Sequence, residues 1–346
     1  MTATAGVATG EAAQGGVPTP KRKGLNAGQS RRGMFLVAPT IVVLAGVIIY
    51  PVIDAVYISF QQDAGKLNPT TGAFEQGGAA GFSNYTHWLL QQCVTSGGGT
   101  VPCPTGSLGA QFYQALGVTF FFTVVCVFLE TMLGMWFAMI MNREFKGRSL
   151  LRAAVLIPWA IPTAVTAKLW FFIFAYEGIA NRLLHANILW TGGQWSSRFA
   201  IIIADTWKTA PFMALLILAG LQVIPSDVYE AASIDGATKF QQFRMITLPL
   251  VKTALMVAVL FRTLDTLRIY DLPAILTGGA GGSGNATTTL SILVIKQVRS
   301  GFHSAAALST ITFLLIFLVA FIFVKFLGAN VVQGDPRKQK AKAKAN

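Results

Sequence analysis

Six apolar runs, separated by polar or basic segments, follow one another along the chain. Their lengths reach or approach the ~20 residues that an α-helix needs to cross ~30 Å of hydrocarbon. The runs lie at Met34–Phe60, Phe112–Met141, Leu150–Tyr176, Phe199–Ile224, Leu250–Leu276 and Ser304–Leu327. This pattern predicts an all-α integral membrane protein with six transmembrane helices in one domain, residues 34–327.

Basic residues predict which connections face the cytoplasm, where Lys and Arg are enriched. They occur in the tail Met1–Gly33 and after the second run, whereas the long connection Gln61–Gln111 holds only Lys66. The residues are Lys21, Arg22, Lys23, Arg31, Arg32, Arg143, Lys146, Arg148 and Arg152. Both termini are therefore predicted to be cytoplasmic, with disordered basic tails at 1–33 and 328–346. The first run starts too late for a cleaved signal peptide and is expected to be a retained anchor in a bacterial cell membrane.

Composition agrees with a membrane protein. Of the 346 residues, 53% are hydrophobic and 12% are charged, against a charged share of about 25% in soluble domains. Much of the surface is therefore expected to contact membrane lipid. The net charge of +13 is typical of nucleic-acid-binding proteins as well, but here the basic residues cluster at the termini and in selected loops. They are interpreted as topology signals, so no nucleic-acid partner is expected.

A polar segment, Val228–Pro249, separates the fourth and fifth apolar runs, and its sequence is VYEAASIDGATKFQQFRMITLP. It carries Glu230, Asp235, Lys239 and Arg244, so it must lie in water. Its alanines favour a helix, and Gly236 allows the chain to turn into a second short helix. The cytoplasmic loop 225–249 is therefore predicted to be a helix-turn-helix, although an ordinary amphipathic loop fits the composition equally well.

This segment resembles the EAA loop of permease subunits in binding-protein-dependent ABC importers. The matching residues, spacing included, are Glu230, Ala231, Ala232, Asp235, Gly236 and Ala237, followed by Ile246, Thr247, Leu248 and Pro249. The resemblance extends from about Phe35 to Leu327 and favours the sugar-importer branch typified by the maltose permease. It implies a type I importer permease fold, in which residues 230–232 and 235–237 contact a cytoplasmic ATPase.

The same resemblance implies a set of partners. These are a second permease subunit, two ATPase subunits and an extracytoplasmic sugar-binding protein. ATP and Mg would bind to the ATPase subunits, and no cofactor is expected on this one.

In the predicted external loop 61–111, Cys93 and Cys103 flank the run SGGGTVP. On the oxidising side of a bacterial membrane they are predicted to form a disulfide. Cys126 is expected to be a buried apolar residue.

The third run contains Pro158 and Pro162 in the sequence LIPWAIPTAV. Each proline removes a backbone donor and bends or breaks a helix, and such breaks persist in membranes where neighbours or a cavity satisfy the freed carbonyls. A broken helix beside a pathway is therefore predicted. The resemblance places the aromatic residue between the prolines near the sugar, which nominates Trp159; a tryptophan that serves only packing is the alternative.

Charged residues interrupt the fourth and fifth runs. The candidates for a substrate pathway are Asp205, Lys208 and Thr209 in ADTWKT and Asp265, Arg268 and Asp271 in LDTLRIYD. A charge near the centre of a membrane helix costs roughly 2.5–3.5 kcal/mol, so these side chains should face one another or water. The i,i+3 spacing predicts that Asp205 pairs with Lys208 and Asp265 with Arg268. Glu130 and Lys168 are expected to form a structural pair or to lie near helix ends.

Two interpretations of these charges stay open. They are either ion pairs that hold helices together or a sugar site of donors and acceptors that match vicinal hydroxyls. The resemblance favours the sugar site, because both stretches correspond to sugar-contacting stretches of the maltose permease. That permease has mainly amide and small neutral residues where Asp205, Lys208, Asp265 and Arg268 stand, so the identity of the sugar is left open.

Catalytic motifs are absent from the sequence. It contains neither GxxxxGK[ST] nor HExxH, and His87, His185 and His303 are isolated. No catalytic residue and no metal site are predicted, and the subunit is not expected to hydrolyse ATP itself. The glycine-rich run Thr277–Gly284 lacks the Lys-Ser/Thr of a phosphate-binding loop and is interpreted as a flexible connection.

The sequence thus predicts a permease subunit of an ATP-driven sugar importer. Two runs, LLILAGLQVIPSDVYEAASIDGA and LFRTLDTLRIYD, most resemble permeases of actinobacterial trehalose importers, so trehalose is the first substrate hypothesis. Maltooligosaccharides come second and glycerophosphodiesters third. An ion-coupled secondary transporter is the alternative from another class, but no inverted repeat is visible and the EAA segment would have no role in it. A membrane enzyme is disfavoured by the missing catalytic motifs.

Overall fold

The computed structural model describes residues 27–64, 77–95, 99–278 and 283–325. The described helices are α1 Ala27–Leu44, α2 Tyr50–Ile58, α3 Ser83–Leu89, α4 Phe112–Asn142, α5 Arg148–Ala160, α6 Thr163–Ile173, α7 Ile179–Leu184, α8 Gln194–Leu221, α9 Ser226–Ile234, α10 Lys239–Gln242, α11 Leu248–Thr266, α12 Asp271–Leu276, α13 Leu290–Ser300 and α14 Phe302–Phe323. The predicted tail 328–346, residues 1–26 and the centre of the glycine-rich run lie outside the described residues.

Two units divide the chain. The first, Met1–Ile53, contains α1, a π-helical turn Ala45–Ile49 and the start of α2. Here α1 begins at Ala27, inside the segment predicted as a disordered tail. Gln29, Arg31 and Arg32 have good helix propensity, so the helix extends beyond the apolar run that defined its predicted start.

Within the described residues, five helices are long and apolar enough to cross a membrane, and one bent pair makes a sixth candidate. They are Met34–Ile58, Gly109–Asn142, Gln194–Leu221, Lys239–Thr266, Phe302–Phe323 and the pair Arg148–Ala160 with Thr163–Ile173. The predicted set of six apolar spans is confirmed. Its fifth member is wrong in extent, because α11 ends at Thr266 and α12 is a separate short helix. Pro273 cannot donate within a continuing helix but fits the first turn of a new one.

In the second unit, Asp54–Asn346, the most extensive helix–helix packing is between α4 and α8. Its largest buried cluster joins Phe122 and Cys126 of α4 to Ile201 of α8 and Leu272 of α12. Gly134 brings two of these helices close together, since a Cβ atom there would lie 2.7 Å from the Met213 Cβ atom and 3.1 Å from the Ala214 backbone nitrogen. Cys126 is buried, as predicted.

Gly134→Ala is expected to destabilise the protein by about 1–3 kcal/mol, because the added methyl group has to push the α4 and α8 backbones apart. Gly117→Ala is the matched control: it lies in the same helix, and an added Cβ atom would meet nothing within 4 Å. It should be neutral or gain roughly 0.5–1 kcal/mol of helix propensity. Thermal unfolding in detergent compares them, and equal melting temperatures would contradict the close approach.

The third span is broken between α5 and α6, which meet at an angle of 91°. Ile161 (ψ 132°) and Pro162 (ψ 140°) are extended at the break. Pro162 cannot donate a backbone hydrogen bond, and the residue before a proline avoids the helical region. Pro162 therefore stands at a sharp corner, whereas Pro158 lies inside α5, so of the two predicted break points the structure places the break at Pro162.

The connection between the first two spans contains α3 and two short antiparallel pairs. β1 (Gln61–Gln62) pairs with β2 (Gly78–Ala79), and β3 (Gln92–Val94) pairs with β4 (Thr100–Pro102). Cys93 of β3 and Cys103, the residue after β4, form a disulfide with their Cα atoms 4.8 Å apart.

Burial lowers the pKa of His87, which lies beside both sulfur atoms, while a hydrogen bond with the Gln92 carbonyl group opposes the shift. The neutral imidazole is thus preferred, and acidification below its usual pKa destabilises this loop.

Cys93→Ser, Cys103→Ser and the double substitution are expected to loosen the β3–β4 hairpin to the same extent, by about 3 kcal/mol, because each removes the same covalent loop closure. Amide hydrogen exchange should accelerate in the hairpin and stay unchanged in α4. A single substitution that behaves like the wild type would show that the two sulfur atoms are not joined in the membrane-embedded protein.

Candidate functional site

One guanidinium group joins three spans inside the protein. Arg262 of α11 binds both carboxylate oxygens of Glu130 on α4, with Nε–Oε2 at 2.5 Å and Nη2–Oε1 at 2.9 Å. It also forms ion pairs with Asp205 of α8 and, through Nη1 at 2.5 Å, with Asp265 on its own helix. We call these four residues the Arg262 network. All of the guanidinium nitrogens are occupied by carboxylates.

Burial divides the network into an inner and an outer part. Glu130, Asp205 and Arg262 are buried, whereas the Asp265 side chain is 64% exposed. Thr209 supports the inner part, since its hydroxyl group lies 2.5 Å from Glu130 Oε1 and 2.6 Å from the Asp205 carbonyl oxygen. A buried carboxylate needs a cation and hydrogen-bond donors together. The network supplies both, and it leaves one carboxylate at the protein surface.

The predicted pairs Asp205–Lys208 and Asp265–Arg268 are wrong: within the described residues neither forms. Both carboxylates bind Arg262 instead, because its planar group offers five donors in a fixed arrangement. An i,i+3 spacing relates only residues of the same helix, whereas Arg262 reaches Asp205 from another helix. Arg262 itself was missed, although it stands three residues before Asp265 in the run RTLDTLRIYD, and the unpaired Glu130 of the second run was a signal that a cation was needed.

Lys208 binds the break of the third span. Its Nζ atom donates a hydrogen bond of 2.6 Å to the carbonyl oxygen of Ile161, the first residue after α5. Asp205 and Asp265 lie within electrostatic range of the same ammonium group. The carbonyl freed by the proline break is therefore satisfied by a cation from α8, next to the Arg262 network.

The other candidates lie around this centre or outside it. Trp159, 46% exposed, stacks on Phe212 with ring centroids 5.7 Å apart, so it packs and also presents a face. Arg268 and Asp271 are exposed and follow the end of α11, so the structure places them beyond the span. Lys168 lies over the ring of Phe171 and does not pair with Glu130.

The segment 225–249 folds as two helices with a tight turn. Gly236 has φ +78°, which allows α9 to turn toward α10, and Thr238 and Gln241 form a capping box that starts α10. Gln242 holds the turn closed by donating to Ser233 Oγ (2.9 Å) and to the Ala237 carbonyl oxygen. Glu230, Ala231, Asp235 and Gly236 are exposed, whereas Ala232 and Ala237 are partly buried. We call the segment 225–249 the knob. Its turn is held by these hydrogen bonds, and the carboxylates of Glu230 and Asp235 are exposed on it.

The knob is connected to the Arg262 network without a break. α10, a π-helical turn at Phe243–Thr247 and α11 form one helix, Lys239–Thr266. The hydroxyl groups of Tyr229 and Thr247 lie 3.0 Å apart and tie α9 to that helix. The second helix of the knob is thus continuous with the helix that carries Arg262 and Asp265.

Two groups of potential metal ligands occur in the described residues, and the structure gives each another role. His87, Cys93 and Cys103 converge, but both sulfur atoms belong to the disulfide. Cys126, Glu130 and Asp205 converge as well, but the two carboxylates bind Arg262. Neither group has the open, deprotonated ligand set that a metal ion requires.

Comparison with known proteins identifies the class. Residues 130–333 match the family described as binding-protein-dependent transport system inner membrane component, and the chain belongs to that family. The resemblance to importer permeases found in the EAA segment is confirmed, and with it a multi-pass membrane protein.

Individual relatives indicate the class of transported substrate more narrowly than the family does. The chain is 39% identical over 303 residues to the trehalose/maltose transport system permease protein MalF of Thermococcus litoralis, covering 86% of this chain and 94% of that one. It is 34% identical over 318 residues to the trehalose transport system permease protein SugA of Mycobacterium tuberculosis, covering 91% and 94%. The sulfoquinovosyl glycerol transport system permease protein SmoG of Agrobacterium fabrum is 33% identical and covers 88% and 92%. These relatives are transport components for sugars.

A solved structure confirms the predicted importer permease fold. A bacterial ABC transporter involved in the import of the acidic polysaccharide alginate superposes with a TM-score of 0.65 at 20% identity, covering 88% of this chain and 97% of that chain. At this identity the similarity establishes the fold alone. Substrate preference has to be argued from the side chains of this chain.

Proposed function

We propose that this chain is the permease subunit through which an ATP-driven importer passes a disaccharide, trehalose first among the candidates. The names of the trehalose/maltose and trehalose permeases support that substrate. The observation that carries a sugar pathway in this chain is the exposed carboxylate of Asp265, held on Arg262 at the depth of buried Glu130 and Asp205.

The position of Asp265 along the membrane-spanning helices limits what its carboxylate can face. Glu130 and Asp205 lie inside the spans Gly109–Asn142 and Gln194–Leu221, and Arg262 contacts both. An exposed charge at that depth costs several kcal/mol in lipid, so it has to face water or another polar surface. A carboxylate fixed by a guanidinium group is a directed acceptor for sugar hydroxyls, and the exposed face of Trp159 suits the apolar face of a pyranose ring.

Coupling follows from the continuous helix. We propose that the knob docks on a cytoplasmic ATPase subunit through Glu230 and the residues around Gly236. Closure of two ATPase subunits on ATP and Mg would move the knob as a rigid body and displace α11 with Asp265. The corner at Ile161 allows α5 and α6 to reorient separately, which fits a switch between inward-open and outward-open states.

The remaining partners and the orientation belong to the same proposal. A second permease subunit completes the pathway, and an extracytoplasmic binding protein delivers the sugar to the face that carries the disulfide hairpin. Both termini then lie in the cytoplasm of a bacterial cell, in agreement with the basic tails. This subunit binds no ATP itself in this scheme.

The substrate is tested by ATP hydrolysis in the reconstituted complex with its binding protein. Trehalose, maltose, longer maltodextrins and glycerophosphodiesters are compared, and trehalose is expected to give the largest stimulation. Stimulation by maltodextrins alone would replace trehalose with the second substrate hypothesis. Stimulation by none of them in an assembled complex would overturn the disaccharide assignment.

A glycoside of glycerol is a further candidate, because one relative, 33% identical, is a sulfoquinovosyl glycerol permease. It stands beside the glycerophosphodiester hypothesis, which stays in the panel. Sulfoquinovosyl glycerol is therefore added to the panel.

A further inference from the structure

The Arg262 network presents charge of one sign only. Arg262 is 2% exposed, and each of its guanidinium nitrogens contacts a carboxylate. Asp265 is the member of the network that reaches the surface. A solute passing this point therefore meets the negative end of the Arg262–Asp265 pair, while the positive end stays enclosed.

The neighbouring cations offset this exposed charge only in part: Lys208 lies within electrostatic range of Asp265 but forms no ion pair with it in the described residues. Lys208 is buried, and its ammonium group donates to the Ile161 carbonyl oxygen. Arg268 follows the end of α11 and lines a separate groove of about 400 Å³ with Ser291 and Phe313. Within the described residues its guanidinium group forms no ion pair with Asp265. The Asp265 carboxylate thus sets the local charge at the surface of α11.

We propose that Asp265 selects substrates by charge: the pathway admits neutral sugars and sugars with a cationic amino group, and it rejects sugars with a carboxylate, sulfonate or phosphate. This inference rests on the proposed pathway for trehalose, and it excludes the anionic candidates named above, sulfoquinovosyl glycerol and the glycerophosphodiesters. An anionic group near an exposed carboxylate is repelled, and the nearest cation, Lys208, is buried, whereas an ammonium group gains an ion pair with Asp265. Neutral hydroxyls donate to the same carboxylate.

The fold does not impose this preference. A transporter with the same fold imports the acidic polysaccharide alginate, so the architecture accepts anionic substrates when its side chains allow it. In this chain the charge preference is carried by a single exposed side chain, and one substitution should therefore change it.

The experiment compares three sugars with one skeleton: trehalose, an amino-deoxy derivative and a uronic acid derivative. Calorimetry first selects derivatives that the binding protein binds, and each is then used at saturation in the reconstituted complex. In the wild type, the uronic acid derivative should stimulate ATP hydrolysis on the order of tenfold less than trehalose, and the amino derivative at least as well. For each derivative, the ratio of its stimulation of ATP hydrolysis to that by trehalose is compared between variants. Asp265→Asn should raise this ratio for the anionic sugar and lower it for the cationic sugar.

Two further variants make the result specific. Asp265→Glu keeps the charge and should keep the wild-type ratios, which separates charge from a general defect. Glu177→Gln removes an exposed carboxylate outside the spans and should leave the ratios unchanged. Because ratios between variants are compared, the preference of the binding protein cancels.

Equal ratios in the wild type and Asp265→Asn would overturn the charge selection while leaving the sugar pathway in place. If neither trehalose nor the other neutral sugars stimulates an assembled complex, the proposed function itself fails. Loss of the Asp265→Asn complex on size-exclusion chromatography, with Asp265→Glu intact, would assign Asp265 a purely structural role and also overturn the inference.

Discussion

Arg262→Met is expected to destabilise the folded protein by about 3–5 kcal/mol, the largest effect on stability that the structure predicts for a single side chain. The substitution roughly conserves length but leaves the buried carboxylates of Glu130 and Asp205 without their cation. Removing one partner of a buried ion pair strands an uncompensated charge, which costs far more than the pair contributes when intact. Thermal unfolding in detergent, followed by size-exclusion chromatography, measures the loss.

Arg268→Met is the matched control, because the same substitution is made six residues later on an exposed arginine outside the span. It should change stability by no more than ~0.5 kcal/mol. Replacing Glu130 with leucine in the Arg262→Met background removes one stranded carboxylate and should recover part of the loss. Equal melting temperatures for Arg262→Met and Arg268→Met would contradict the buried network.

Glu230→Lys is expected to lower sugar uptake roughly 100-fold while leaving the complex at least partly assembled and ATP hydrolysis measurable. Glu230 is exposed on α9 and lies away from the contacts that brace the knob, so its replacement should not unfold the segment. Charge reversal at a docking surface costs several kcal/mol. The measurement is the ratio of sugar transported to ATP hydrolysed in proteoliposomes.

Glu144→Lys provides the control for that result. It makes the same charge reversal at an exposed position in another connection predicted to be cytoplasmic, between α4 and α5. Its transport ratio should match the wild type. Normal uptake by Glu230→Lys would contradict the coupling role of the knob. Equal losses of sugar transport in both variants would indicate a general effect of added positive charge.

The local features of this fold follow from the sequence because they depend on neighbouring residues. Apolar runs of sufficient length predicted the spans, and Pro158 and Pro162 predicted the break, since backbone geometry and hydrogen bonding fix both. The turn at Gly236 likewise follows from a residue that tolerates positive φ. These requirements are met within a few residues along the chain.

Partners across helices could not be predicted in the same way. The i,i+3 rule correctly placed Asp205 near Lys208 along the helix but could not show that a guanidinium group from α11 lies closer to its carboxylate. That arrangement depends on how α4, α8 and α11 pack, which one sequence does not specify. The extent of the fifth span failed for a related reason, because hydrophobicity continued past Thr266 while the backbone turned.

Uptake of radiolabelled trehalose into proteoliposomes tests the central claim most directly. The complex is reconstituted with ATP inside and the binding protein outside, without an ion gradient. Accumulation that requires both ATP and the binding protein, and that falls in Glu230→Lys but not in Glu144→Lys, is the expected result. A parallel sample contains an ion gradient and no ATP; accumulation there would contradict the claim and would favour an ion-coupled secondary transporter.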